Sequence, residues 1–462
     1  MILQGGAIVS LLLLVAGCGN SHPSTPLDLR VAFSCDTRGR LEPCGCFQGQ
    51  FGGLTRLKTV LDGEKTPGAL RVDVGDAVGG HEDYDLLEYR YLLQAFAAMN
   101  YDALNLGARE AEFSRSQLRQ IRQSSPVPII SANLLDLASH ERIFESYRIV
   151  QRGGFRIGII GVLDPRALAD HPGAGLAVEN MENSVERCLG ELRGKTDLIL
   201  LLAFTDELTL AKLADQFYEC QVILGGKVTQ PAQELQRANK SIIYYVANES
   251  RAFGILDLRL THGAPVQVTA NEIRLLHDKI PQDESFIALM QKYRDEVSDA
   301  RLSVDDPNQL SVDEIPGVRT RAAYVGTEKC IECHKRAAEV WTASAHARAF
   351  NTLVGRKAAA DPKCIGCHTV GFPSPSGYRR EFGAIKLVNA GCESCHGPGS
   401  LHVQEREGDT SVHFTFRPLD AGDCRKCHQG EFSRPFDWDQ FWPLVKHGNE
   451  PRPAGKSPAQ SP

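Results

Sequence analysis

Four copies of Cys-x-x-Cys-His constrain this chain more than any other feature. They are Cys330/Cys333/His334, Cys364/Cys367/His368, Cys392/Cys395/His396 and Cys424/Cys427/His428. With 14 Cys and 14 His in 462 residues, composition alone predicts roughly 0.01 occurrences of the pattern, so its repetition reflects chemistry. Two thiols three residues apart form thioethers to the two vinyl groups of a haem, and the adjacent imidazole reaches the iron from one side. Zinc held by Cys pairs needs no fixed His after every pair. The reading is therefore four haems c, attached through these eight Cys, with His334, His368, His396 and His428 as proximal iron ligands. Eight of the 14 His and eight of the 14 Cys lie after residue 320. Strand signals are nearly absent there and Gly and Pro are frequent, which predicts a mostly helical or irregular multihaem domain over 324–447. A Pro-rich tail, expected to be disordered, covers 448–462.

Counting restricts the second axial ligands. The Met residues are Met1, Met99, Met181 and Met290, so none lies in this domain and His/Met ligation is not expected there. The remaining His of the domain are His346, His402, His413 and His447. All four are candidate distal ligands, with His413 ranked last because a surface position explains it equally well. If His413 is not a ligand, one iron is open or takes a ligand from elsewhere, and an open iron binds small molecules.

The segments YVGTEKCIECHKRAAEVWTASAHARAF, CIGCHTVGF, GCESCHGPGSLH and CRKCHQGEFSRPFDWDQFWPLVKHG resemble the tetrahaem cytochromes related to the electron carriers of ammonia-oxidising bacteria. The resemblance implies closely stacked haems that pass electrons one at a time. It also implies that one haem can lack a distal protein ligand.

The longer N-terminal part reads differently. Runs such as LDLRVAFS, FRIGIIGVL, DLILLLAF and CQVILGG alternate with helical stretches, the pattern of buried sheets covered by helices. A domain over 28–280 is long enough for a large core, and a helix with a polar linker follows over 281–323. The stretches FGGLTRLKTVL, LRVDVGDAVGG, IISANL and FRIGIIGV resemble the metallophosphoesterase domain of the secreted 5′-nucleotidases. That resemblance implies an α/β four-layer sandwich with a two-metal site at the strand ends. It also implies ligand positions that this sequence does not fill. Asp-x-His is Asp36-Thr37-Arg38, and Gly75-Asp76 is intact. Gly-Asn-His-Glu is Gly107-Ala108-Arg109-Glu110, a further His position is Phe204, and the last motif is Gly226-Lys227-Val228-Thr229. Two carboxylates, Asp36 and Asp76, survive. Arg38, Arg109 and Lys227 bring positive charge to where cations would sit; they pair with Asp36 and Asp76 or bind an anion.

Cys35, Cys44 and Cys46 cluster near the same strand end. A structural disulfide, a redox thiol pair exchanging electrons with the haems, and a thiolate metal site all remain open for them. Arg38 and Arg40 nearby favour a thiolate. Cys188 and Cys220 read as buried structural thiols. At the N-terminus, Ala7–Gly17 is an apolar run too short to span a bilayer, as in a signal peptide. Val15-Ala16-Gly17-Cys18 resembles the bacterial lipobox, which implies lipidation of Cys18 after removal of 1–17, with a tether over 18–27. A plain secretory signal is the alternative. Either way the chain is expected outside the cytoplasm. The composition, 42% hydrophobic and 23% charged, excludes wholesale disorder, and a net charge of −6 lends no support to nucleic-acid binding.

The expected function is electron transfer between redox partner proteins, from a membrane held through the lipid anchor. The alternatives are a divergent metallophosphoesterase, or a redox enzyme acting at an open haem or at the Cys35/Cys44/Cys46 loop.

Overall fold

A computed structural model describes residues 25–43, 51–64, 66–80, 82–168, 171–228, 230–232, 234–246, 250–300, 322–372, 374, 376–379, 385–428 and 436–448. Cys18, Cys44 and Cys46 lie outside the described residues.

The apolar runs form strands because both of their faces are covered, which suits Leu, Ile and Val packed on a pleated surface. One six-stranded sheet has the order Gln267–Leu275, Ala252–Leu260, Leu27–Ser34, Leu70–Asp73, Ala103–Asn105 and Ile129–Ile130. Its last four strands are parallel and its first two pairings antiparallel. The second sheet runs Gln236–Ala238, Ser241–Tyr245, Val222–Gly226, Leu198–Phe204, Phe155–Leu163 and Tyr147–Arg152. Its four central strands are parallel. Every residue of Leu198–Phe204 is buried, and each such Leu or Ile contributes roughly 1.5–3 kcal/mol on burial.

The two sheets face each other, strand Ala103–Asn105 packing on Phe155–Leu163 and Leu198–Phe204. Asn105 ties them across this seam, its Nδ2 donating to the Val74 and Val162 carbonyls at 2.9 Å each. Helices form the outer layers. Met181–Leu192 packs on Phe155–Leu163, and Glu207–Gln216 packs on Ser241–Tyr245. Beside the first sheet, Leu54–Gly63 and Asp83–Ala98 both pack against Glu284–Ala300. The result is a four-layer α/β sandwich of the calcineurin-like phosphoesterase type.

From residue 322 onward the structure is helical and irregular. The helices are short, such as Thr327–Ile331, Lys335–Ala343, Pro362–His368, Cys392–His396 and Ala421–Arg425. Among the described residues, the strand-like pairing here is one bridge, Thr369 to Val388. The apolar cluster is small: Leu353, Ala358, Ile365, Val370, Tyr378 and Leu387. Buried Glu393 holds the region together instead, accepting from the backbone N–H groups of Val325 (3.0 Å), Gly326 (2.8 Å) and Gly399 (2.7 Å).

The two regions meet at Lys363. Asp361 caps its helix by accepting from the Lys363 N–H (3.0 Å), with Pro362 at the first turn. The Lys363 ammonium then reaches out to Glu88 Oε2 (2.5 Å) and Asp85 Oδ1 (3.3 Å) on helix Asp83–Ala98. Both carboxylates are almost wholly buried. Burial pushes Glu88 up to about 8, against the pull of Lys363, while the carboxylates hold Lys363 in its charged form. A side chain at Gly39 or Gly79 would strike the Lys363 ammonium, so the close approach depends on both glycines.

Candidate functional site

Each Cys-x-x-Cys-His motif forms a helical turn, which sets residues i, i+3 and i+4 on one face. Helices Pro362–His368 and Cys392–His396 contain their motifs whole. In the other two, the His334 N–H donates to the Cys330 carbonyl (3.0 Å) and the His428 N–H to the Cys424 carbonyl (2.9 Å). The motifs also lie side by side in pairs. The sulfurs of Cys330 and Cys392 are within hydrogen-bonding reach, as are those of Cys367 and Cys427. The Cys392 N–H donates to Thr327 Oγ1 (3.3 Å), locking the first and third motifs together.

Cys333 departs from the other motif cysteines. It is expected among the haem-binding residues, yet it is exposed, while the remaining seven are half-buried. Helix Thr327–Ile331 ends two residues before it, just as helix Ala421–Arg425 ends two residues before half-buried Cys427, so the difference lies in what surrounds each thiol. This exposure leaves the expectation that Cys333 is an attachment residue as it stands, at a surface position, with the polypeptide covering its partner Cys330 more fully.

Three of the four motif imidazoles face a second imidazole. Ring centres are 6.0 Å apart for His334 and His402, 5.9 Å for His428 and His346, and 5.8 Å for His396 and His447. A metal–imidazole bond is about 2 Å, so two in line plus the two half-rings put ring centres about 6 Å apart. The three pairs therefore fit an iron between them. Among the described residues, no second imidazole faces His368. Its Nδ1 is bonded to the Ala349 carbonyl (2.6 Å), which fixes the tautomer and turns Nε2 outward. His413 is not brought to any motif imidazole. Its side chain is 86% exposed and lies 3.7 Å from Glu405. The expectation that it is a distal ligand is corrected: it belongs to the solvated face. Aromatic rings that the motifs do not announce complete the surroundings. Phe416 packs on His396 and His402, Phe414 on His402, and Phe436 stacks on His428.

The second site is a pocket at the C-terminal ends of the parallel strands, where open α/β sheets bind ligands. Asp36 follows Leu27–Ser34, Asp76 follows Leu70–Asp73, Arg109 follows Ala103–Asn105, and Lys227 follows Val222–Gly226; Phe204 ends its strand. Asp36, Arg38, Asp76 and Lys227 all have left-handed backbone, with φ of 57°, 48°, 59° and 58°. Backbone bonds impose this on the first two: the Asp36 N–H donates to Gly75 O (2.8 Å) and the Arg38 N–H to Asp76 O (3.1 Å). Buried Glu110 clamps the adjoining loops, accepting from the N–H groups of Ala77 (2.6 Å), Gly107 (2.9 Å), Val78 (3.0 Å) and Asp76 (3.1 Å). Burial, with Asp76 nearby, raises Glu110 to about 7.

Both surviving carboxylates are met by guanidinium groups. Arg38 Nε is 2.5 Å from Asp36 Oδ1, and Arg109 Nε is 3.4 Å from Asp76 Oδ2. Arg109 also donates to Gly79 O (2.6 Å), and Lys227 Nζ is given to the Ala167 carbonyl (2.7 Å). Burial raises Asp36 to about 6 despite Arg38, and raises Asp76 despite Arg109. Among the described residues, no group of three or more His, Cys, Asp or Glu is placed to hold a metal ion.

Cys35 requires a correction. A redox thiol belongs at a rim, with its pKa lowered by Arg38 and Arg40. Cys35 is instead 1% exposed, and its Sγ points at the Gly75 carbonyl (3.4 Å). Burial, with Asp73, Asp36 and Asp76 around it, pushes this thiol well above its ordinary value, so it is an inert core group. Cys188 and Cys220 are buried in the same way.

The family described as "Cytochrome c554 and c-prime" matches residues 329–397. Cytochrome c-554 of Nitrosomonas europaea is 40% identical over 93 residues, covering 17% of this chain and 40% of that protein. The 5′-nucleotidase of Vibrio cholerae is 24% identical over 227 residues, 44% of this chain and 39% of that protein. The solved 5′-nucleotidase precursor of Thermus thermophilus superposes with a TM-score of 0.51 at 20% identity, over 60% of each chain. The chain joins a cytochrome c554 domain to a 5′-nucleotidase-type fold. It spans about two fifths of the length of each curated relative. The match to the cytochrome c554 family supports haem c in the C-terminal region. The nucleotidase likeness, at this identity, shows fold alone. Among the described residues, no helix is long and apolar enough to cross a membrane.

Proposed function

We propose that this chain is an exported electron-transfer protein carrying four haems c, attached at Cys330/Cys333, Cys364/Cys367, Cys392/Cys395 and Cys424/Cys427. The observation that carries the reading is the set of three imidazole pairs with ring centres about 6 Å apart, each including one motif His. Haem c supplies reversible one-electron iron chemistry when bound. The chain's own residues do the rest. With haem bound, His402, His346 and His447 would be the second imidazole ligands beside His334, His428 and His396. The paired motifs hold first beside third and second beside fourth. Ala349 orients His368, and Phe414, Phe416 and Phe436 exclude water beside the ligands. Redox proteins outside the cytoplasm are the proposed partners, with Cys18 as the membrane anchor.

The N-terminal lobe, in this reading, has lost its two-cation centre. Its donor set does not fit two metal ions: Arg38 and Arg109 sit on the two surviving carboxylates, and Phe204 and Lys227 stand where imidazoles belong. Hydrolysis is therefore not proposed.

A pyridine haemochrome assay should give four haems c per chain, and electron paramagnetic resonance three low-spin centres and one high-spin centre. One haem or none ends the proposal. His402→Ala, His346→Ala and His447→Ala should each convert one low-spin centre to high spin. A second reading, a redox enzyme working at the iron on His368, is favoured only by the lack of a facing imidazole there. Failure of small ligands such as nitric oxide to bind the reduced protein would remove it.

A further inference from the structure

The strand-end pocket plays no part in carrying electrons, yet it is a built site. It is a cavity of about 410 Å³ lined by three basic groups, Arg38, Arg109 and Lys227, and three carboxylates, Asp36, Asp76 and half-buried, already engaged Glu112. Asp36 and Asp76 form its floor, their side chains only 10% and 8% exposed. The guanidinium groups of Arg38 and Arg109 stand nearer solvent at 35% and 32%, and Lys227 is exposed. Each non-glycine residue in left-handed backbone costs of order 1–3 kcal/mol unless its surroundings impose it. Around this cavity Asp36 and Asp76 take the left-handed backbone that Asp tolerates, while Arg38 and Lys227 take it as residues that rarely do.

We propose that this pocket binds an oxyanion of the phosphate class, gripped by Arg109 and Lys227 at the place where the fold's relatives hold metal ions. This rests on the reading that the two cations are lost. Arg109 uses Nε toward Asp76 and one terminal nitrogen on Gly79, which leaves its other terminal nitrogen to donate. Lys227 gives one of its three N–H bonds to Ala167 O. Arg38 adds positive charge on the opposite side of the opening. The buried floor carboxylates are already engaged by guanidinium groups, so they do not repel an incoming anion as bare charges do. A guanidinium fork beside an ammonium is the donor set that suits tetrahedral oxygens.

The site also touches the seam between the lobes. The Gly79 carbonyl accepts from Arg109, and the space beside its Cα is filled by Lys363, the residue before Cys364. Arg109 and Gly79 therefore stand between a bound anion and Lys363.

The test is calorimetric titration of the mature, haem-loaded, chelator-treated chain with inorganic phosphate, then with sulfate and with adenosine monophosphate. Phosphate should bind in the millimolar range or tighter and weaken with added salt. Lys227→Asn, in which Asn accepts the left-handed backbone, and Arg109→Gln should each weaken binding by roughly tenfold. Should Arg109→Gln lower the melting temperature of the lobe, Lys227→Asn alone carries the test. Tighter binding of the nucleotide than of phosphate identifies a phosphate ester as the occupant; equal binding identifies the free oxyanion. No binding by the wild-type chain, or equal binding by Lys227→Asn, overturns the oxyanion site while leaving the lost-metal reading intact. Binding that appears only with added Mn²⁺ overturns both.

Discussion

The N-terminal lobe and the C-terminal region bury their chains with different materials. The lobe closes two six-stranded sheets over a continuous apolar interior. The C-terminal region gathers six apolar side chains and staples its segments through Glu393 and Thr327. A region of that length with so small a core is marginal by itself, and the imidazole pairs and paired thiols are arranged around what the polypeptide does not supply. In one half the sequence is its own interior; in the other, on the proposed reading, the haems would complete it.

The largest test of this contrast is to withhold the haems. Chain made without haem attachment should lose the C-terminal region to protease while the lobe remains folded, because cofactor binding there is folding free energy, as in structural metal domains. A protease-resistant apo region would break the comparison. Next in size is Glu110→Ala, which leaves buried N–H donors of Asp76, Ala77, Val78 and Gly107 unsatisfied. Denaturant unfolding should show a loss of roughly 3–5 kcal/mol in the lobe, with unchanged haem spectra. A smaller loss, roughly 2–3 kcal/mol, is expected for Lys363→Met, which strips the cation from buried Asp85 and Glu88. Hydrogen exchange should then speed up in helix Asp83–Ala98. An unchanged exchange pattern would show that the lobes are joined by other contacts.

Two carboxyl groups of the strand-end loops add a smaller, pH-dependent effect in the lobe. Asp36 stands at about 6 against an ordinary 3.8, and Glu110 at about 7 against 4.5. Both are raised, so the folded lobe binds more protons than the unfolded chain between these values. Their contribution is fully present below pH ~4 and is lost as pH rises through ~6 to ~7, a decline of about 1–2 kcal/mol after screening. Thermal melting of the lobe from pH 4 to 8 measures it; a melting temperature that climbs across the window contradicts the sign. The smallest effect is that of His413→Ala, which should leave every haem spectrum unchanged.

Much of this was legible in the sequence, for physical reasons. Cys-x-x-Cys-His is a local device whose geometry is complete within one helical turn, so spacing alone reveals it. The near-continuous apolar runs marked the buried strands of the lobe in the same local way. Arg38, Arg109 and Lys227 were readable as basic replacements because they sit inside recognisable motifs. His413, Cys35 and Cys333 were harder because exposure is not a local property. One His in a Gly- and Asp-bordered stretch resembles another, and a Cys beside two Arg in sequence was instead surrounded by Asp in space. Cys333 shares its motif pattern with seven other thiols and differs from them in its exposure, which spacing along the chain does not encode. Lys363, Glu88 and Asp85 carried no signal at all, since their partners are 275 and 278 positions apart in the chain.

What the sequence alone determined is local: four Cys-x-x-Cys-His motifs with their eight thiols and four adjacent imidazoles, and strands whose every face had to be covered. What the tertiary structure decided is the pairing of those imidazoles, the isolation of His368, and the meeting of Lys363 with two buried carboxylates. Spacing along a chain encodes only contacts made within a turn or a strand. Which distant groups share a low-dielectric site depends on how the layers close, and only there do burial and charge set what each residue does.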